Sequence, residues 1–225
     1  MKKDQFLTNN VNKQRFINLL SEQFELHACD VLHAKGDADV LITQTAIKSA
    51  DSKDTVLVGD DTDLLVLLCS QASETVYDIY FRPEPKSTSK KIPRCWNIKL
   101  VRDILGDHIC DNLLFAHAIL GCDTTSRVFG IGKPVALKKL KSSAYFRQQA
   151  AVFKNPQATQ KDIVTAGESA MVCLYNGQPG EKLDSLRLHR FYQKVSTNTT
   201  FVQPRILPPT SSATQYHSQR VYHQV

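Results

Sequence analysis

The chain has 225 residues, 42% of them hydrophobic and 22% charged, which is enough for one sizeable core and excludes an extensively disordered protein. A formal net charge of +6 and a pI near 9.0 permit a nucleic-acid partner without establishing one. No run approaches a transmembrane span, and the polar start Met1-Lys2-Lys3-Asp4-Gln5 has no signal-peptide core, so an intracellular protein, nuclear or cytoplasmic, is expected.

Phe16, Leu19, Leu20 and Phe24 recur at helical spacing and predict an amphipathic helix in the opening segment. Asp37 to Ala50 reads as a second helix, with Val40, Ile42, Ala46 and Ile47 as its apolar positions. Thr55-Val56-Leu57-Val58, ending at Gly59, has the continuous apolar pattern of a buried parallel strand, and Val76 to Phe81 predicts another. Pro83 to Pro93 is a polar loop in which Lys86, Lys90 and Lys91, with Arg94 just beyond, form a basic cluster suited to nucleic acid, nuclear import or plain solvation. Ile98 to Leu105 and Asn112 to Leu120 read as helices flanking Gly106. Gly130-Ile131-Gly132 reads as a tight turn opening a basic helix, Pro134 to Leu140. Leu188, Phe191, Tyr192 and Val195 mark a further helix, and the Thr-, Ser-, Gln- and Pro-rich stretch 197–225 reads as a linker or tail. Strands alternating with helices predict an α/β fold with a parallel sheet.

The six cysteines, Cys29, Cys69, Cys95, Cys110, Cys122 and Cys173, include no CxxC pair and read as reduced, mostly buried thiols. His108, Cys110, His117 and Cys122 match no standard zinc spacing. His117, among Leu113, Leu114 and Ile119, reads as a core histidine with its hydrogen bonds met inside, and Trp96 as a core or loop anchor.

The charge pattern carries more than its total. Eight acidic residues lie between positions 30 and 63, and none lies between Asp123 and Asp162. The acidic stretch holds Gly36-Asp37-Ala38-Asp39 and Gly59-Asp60-Asp61-Thr62-Asp63; the acid-free stretch carries Arg127, Lys133, Lys138, Lys139, Lys141 and Arg147. Functional groups of parallel sheets collect where strands deliver the chain to loops, which is where Asp61 and Asp63 fall. Asp37 and Asp39 stand at a helix start; both can face one site only if Asp37 lies at or before the cap. Carboxylates from separate chain positions suit divalent cations, and a basic arm suits a polyanion. An Asp-Asp pair after a strand also occurs in phospho-acceptor receiver domains and haloacid-dehalogenase-like phosphatases, but those folds do not account for the basic arm.

Taken in order, Asp37-Ala38-Asp39, Asp60-Asp61-Thr62-Asp63, Leu120-Gly121-Cys122-Asp123 and Gly130-Ile131-Gly132-Lys133 resemble the flap-endonuclease branch of the PIN-like nucleases. The resemblance runs from Lys35 to Leu140. It implies a three-layer PIN-like fold over residues 1–160, with a helix-turn-helix hairpin, followed by a helical extension over 161–196. It makes Asp37, Asp39, Asp61, Asp63 and Asp123 the ligands of two Mg²⁺ or Mn²⁺ ions, with Asp39, Asp61, Asp63 and Asp123 as the catalytic set. Arg127, Gly130, Gly132, Lys133, Lys138, Lys139 and Lys141 become the grip on DNA at a flap, end or junction, with K⁺ able to sit in the Gly130–Gly132 turn. The family's first strand and its first metal ligands have no counterpart before Lys35, so an incomplete copy is expected. The alternative is a catalytically inactive nucleic-acid-binding relic of such a nuclease.

Overall fold

The computed structural model describes residues 6–84, 94–197 and 201–225. The basic cluster at Lys86, Lys90 and Lys91 lies outside them. The chain divides into two units, Met1–Leu41 and Ile42–Val225.

In the first unit, α1 (Asn10–Leu26) starts where the Asn9 side chain accepts from the amides of Val11 and Asn12, at 3.0 and 3.2 Å. Such an N-cap satisfies donors that the first turn leaves unpaired. The expected helix is present, but none of its residues is buried: Phe16, Leu19, Leu20 and Phe24 are all exposed. Periodicity revealed the helix and said nothing of what covers it. The helix α2 (Ala38–Ser49) begins in this unit and continues into the second, where Thr43 and Ala46 are buried.

The second unit is a mixed α/β body, mostly helical. Its sheet has three strands in the order β1 (Thr55–Val58), β2 (Ile79–Arg82), β3 (Trp96–Asn97). β1 and β2 are parallel, linked by the crossover helix α3 (Thr62–Gln71). β3 pairs antiparallel with β2, contrary to the all-parallel expectation, and Trp96 stacks on Phe81 at 6.0 Å. The reading of β1 as a buried strand also needs correction. It is an edge strand whose Leu57 faces the core while Val56 and Val58 are half-exposed. Four apolar residues cannot distinguish a central strand from an edge one; pairing does.

Then come α4 (Ile98–Leu105), a single turn α5 (Asp107–Cys110) and α6 (Leu113–Leu120). Beyond them lie α7 (Lys133–Ser142), α8 (Ala144–Phe153), α9 (Gln160–Leu174), α10 (Leu183–Thr197), a 3₁₀ turn at Pro204–Ile206 and α11 (Ser211–Gln224). Phe115 of α6 sits fully buried between Phe146 and Phe153 of α8, with ring centroids 5.6 and 4.8 Å away. Tilted aromatic pairs at this spacing add to the burial of the rings themselves.

Residues 211–224, expected as tail, form a helix that packs on α9 and α6. At Gly167 of α9 an added Cβ would stand 1.8 Å from Ser218 Oγ, so glycine permits the close approach of α9 and α11. His217 Nε2 lies 2.9 Å from the Ile119 carbonyl, which places its proton on that nitrogen as donor. Burial pushes the His217 imidazole below its ordinary value of 6.5. The sign follows: the folded state keeps it neutral, whereas the unfolded chain binds a proton below about pH 6.5. Its stabilising share is therefore present above that pH and is lost as pH falls. We expect His217→Gln to flatten the fall in stability between pH 7 and 5 in urea titrations; an unchanged slope refutes this.

Candidate functional site

The crossover helix fixes the first part of the site. β1 ends at Val58 and the chain turns through Gly59 and Asp60 to Asp61, the N-cap of α3. The Asp61 carboxylate accepts from the amide of Asp63 at 3.0 Å, and Asp63 lies in the first turn, where the helix dipole favours negative charge. Asp60 and Asp61 are exposed, while the Asp63 side chain is only 24% exposed.

Asp63 faces His117. Nε2 of His117, on α6, lies 2.9 Å from Asp63 Oδ1 without the alignment of a hydrogen bond, and its Nδ1 has no partner. Its side chain is 10% exposed. The expectation of a core histidine with its bonds satisfied is thus overturned: His117 is buried but turned to a carboxylate. Burial raises the Asp63 carboxyl above its ordinary range, and the neighbouring charges of Asp61 and Asp123 raise it further, while His117 and Lys133 act against them. Burial lowers the His117 imidazole, against the pull of Asp63.

Asp123 comes from the loop after α6. Gly121, at φ +110°, turns the chain out of the helix, and the Val128 amide returns to the Leu120 carbonyl at 2.9 Å. Inside this loop the buried Thr125 hydroxyl donates to the Ala118 carbonyl at 2.7 Å and accepts from the Cys122 amide at 2.9 Å. Thr125→Val keeps the shape but leaves the part-buried Cys122 amide without its acceptor and the Ala118 carbonyl with only the Gly121 amide at 3.3 Å, so we expect a loss of about 1–3 kcal/mol, measured by urea denaturation. Nothing in the sequence singled out Thr125 or the pairing of His117, because both depend on where α6 lands against α3.

The basic stretch starts at Gly130, at φ +77°, and Gly132 is the extended N-cap of α7. No side chain caps the first amides of α7. Lys133 Nζ donates to Thr62 Oγ1 at 3.0 Å, tying the glycine turn to the start of α3. Arg127, Lys138 and Lys141 are exposed and Lys139 is partly so. Arg147, expected as part of the same arm, instead donates to the carbonyls of Leu140 and Lys141 at 2.5 and 3.2 Å and closes the end of α7.

Asp37 and Asp39 belong to the first unit. Asp37 precedes α2 and accepts from the Asp39 amide at 3.0 Å, so it sits before the helix, as the shared-site reading required; Asp39 stands in the first turn. His108, Cys110, His117 and Cys122 do not converge on a metal-sized centre among the described residues. All six cysteines are unpaired; Cys69, Cys110 and Cys173 are buried. Among the described residues no helix is long and apolar enough to cross a membrane. Comparison with protein-family models, curated proteins and solved structures finds no match for the chain.

Proposed function

We propose that this chain is a divalent-metal-dependent nuclease module acting on DNA flaps, ends or junctions, built on a PIN-like core. The sequence resemblance supplies the reading. The observation that supports it most is the environment of Asp63: a partly buried carboxylate whose ionisation is opposed by Asp61 and Asp123. Carboxylates held this way gain most from a cation. The donor set fits Mg²⁺ or Mn²⁺, being oxygen-rich, with one buried imidazole beside it whose nitrogens lack hydrogen bonds.

The resemblance makes Asp37, Asp39, Asp61, Asp63 and Asp123 the metal ligands; of these, Asp61 and Asp63 share the start of α3, and Asp123 falls in no metal-sized group among the described residues. The bound ion supplies an acidified water and charge stabilisation at the phosphodiester. His117 keeps the Asp63 carboxylate oriented. The Lys133 amide and ammonium would receive a phosphate at the start of α7, where Pro134 has no N–H and the Val135 amide donates to the Gly132 carbonyl at 3.0 Å; the resemblance adds K⁺ at the Gly130–Gly132 turn. Lys138, Lys139 and Lys141 with Arg127 draw the polyanion in. The test is a labelled flap DNA incubated with the chain in Mn²⁺ or in EDTA. Cutting in Mn²⁺ alone supports the reading, and no cutting in either refutes it.

One observation favours a second reading, a nucleic-acid-binding protein without catalysis. Among the described residues no strand flanks the outer edge of β1 to bring a further carboxylate, and the Lys133 ammonium already favours the ionised Asp63 carboxylate. That reading requires DNA binding independent of metal. On either reading Lys133→Glu should weaken DNA binding and lower the log–log salt slope by about 1 in filter-binding titrations. Unchanged binding would remove the Gly130–Lys133 turn from the DNA-binding surface.

A further inference from the structure

Away from the acidic residues, a cavity of about 300 Å³ opens beside α9, α10 and α11. Four arginines line it, Arg127, Arg187, Arg205 and Arg220, and no carboxylate does. None of the four has an ion-pair partner among the described residues. The carboxylates on the bordering helices are engaged elsewhere: Asp162 accepts from the Thr159 amide and hydroxyl, Glu168 from the Leu183 amide and the Ser211 hydroxyl, and Asp184 from the Ser211 amide. Four arginines around one cavity with no carboxylate in its lining give it a positive charge that favours an anion.

Three of these arginines are fixed. Arg187 donates to the Pro208 carbonyl, Arg220 to Ser126 Oγ at 3.2 Å, and Arg205 to Gln203 Oε1 at 2.8 Å while lying over the Phe129 ring at 5.0 Å. Each guanidinium carries five N–H donors, so most remain available. Thr214, on the wall of the same cavity, is 1% exposed, and its hydroxyl has no hydrogen-bond partner. That oxygen is closed to solvent, so the arginine forks alone are left to meet a bound anion. Ser126, Tyr175 and His217 also line it, and Val128, Met171, Leu207 and Ala213 supply an apolar part of the wall.

We propose that this cavity binds a small phosphate monoester with an aromatic or apolar body, of mononucleotide size. A phosphate monoester brings a charge of about −1.5 to −2 and three acceptor oxygens to arginine forks that match them. A lone carboxylate would leave more of the cationic charge uncompensated and offers the arginines one oxygen fewer. The apolar wall and the exposed Phe129 ring suit a base or similar body, and the volume lies at the small end of ligand pockets, too small for a duplex. The proposal does not depend on the nuclease reading.

The test is calorimetric titration of the full chain with adenosine monophosphate, inorganic phosphate and adenosine. Saturable binding of the monophosphate, at least about tenfold tighter than phosphate and with none for adenosine, is expected from the joint polar and apolar recognition. The Arg205→Gln, Arg220→Gln double variant should weaken it at least about tenfold. Ala213→Glu, at an exposed position of the lining and three residues after the Thr210 N-cap, should leave the unliganded Tm unchanged or higher while setting a carboxylate against the arginines and weakening monophosphate binding at least about tenfold, and so tests the pocket even if the arginine variant fails to fold. No saturable binding of the monophosphate overturns the proposal, as does binding undiminished in both variants.

Discussion

Gly121→Ala is expected to destabilise the second unit by about 4 kcal/mol or more, an unusually large effect for one methyl group. Two costs combine. The backbone at Gly121 has φ +110°, a region L-residues rarely enter, at a cost of about 1–3 kcal/mol. The added Cβ would also stand 2.4 Å from Arg127 Cα and 2.8 Å from Arg127 N. Those are backbone atoms, and they yield only if the loop gives up the Val128–Leu120 hydrogen bond that closes it. Gly130→Ala is the comparison: φ there is +77°, but nothing lies within 4 Å of an added Cβ. Only the backbone preference is lost, at about 1–2 kcal/mol. Urea denaturation of both variants checks the argument. Equal losses would show that the contact with Arg127 is relieved cheaply. Since Asp123 and Arg127 stand on this loop, the same change should also weaken both the acidic site and the arginine-lined cavity.

Asp61→Asn should cut metal-dependent DNA cleavage by about 10²- to 10³-fold, the scale of losing one group that stabilises transition-state charge. It should leave stability within about 0.5 kcal/mol of the parent. The separation comes from the double duty of Asp61. As N-cap of α3 it needs only an oxygen to accept from the Asp63 amide, and asparagine caps as well as aspartate. As a metal ligand it needs the negative charge, which asparagine lacks. Asp61→Ala should lose the cap as well, at about 1 kcal/mol. Cleavage rates in Mn²⁺ beside urea midpoints distinguish the two roles. Cleavage undiminished in Asp61→Asn would take Asp61 out of the ligand set.

Some elements were legible in the sequence and others were not, for identifiable reasons. The helices at 98–105 and 113–120 and the strand at 55–58 announced themselves through apolar patterning and glycine stops. The helix α3 was hidden because Leu64-Leu65-Val66-Leu67-Leu68 is apolar on every face and shows no 3.6-residue period. The helix α11 was hidden for the opposite reason. It buries Thr214, His217, Ser218 and Val221, which have the right spacing but mostly polar or small side chains. Small residues let it approach α9 closely, and that requirement is visible only once Gly167 is seen opposite.

The sequence by itself determined the local chemistry. It placed Asp61 and Asp63 directly after a strand, Asp37 and Asp39 at a helix start, and glycines where the chain reverses, because caps, dipoles and backbone preferences act within a few residues. Tertiary structure decided what those groups meet. It put β1 at an edge, turned His117 to Asp63, spent Arg147 on closing a helix, and gathered Arg127, Arg187, Arg205 and Arg220 around one cavity. These partners are up to 93 positions apart along the chain (Arg127 to Arg220). Such meetings are set by how helix faces pack, and short-range sequence pattern carries no record of that.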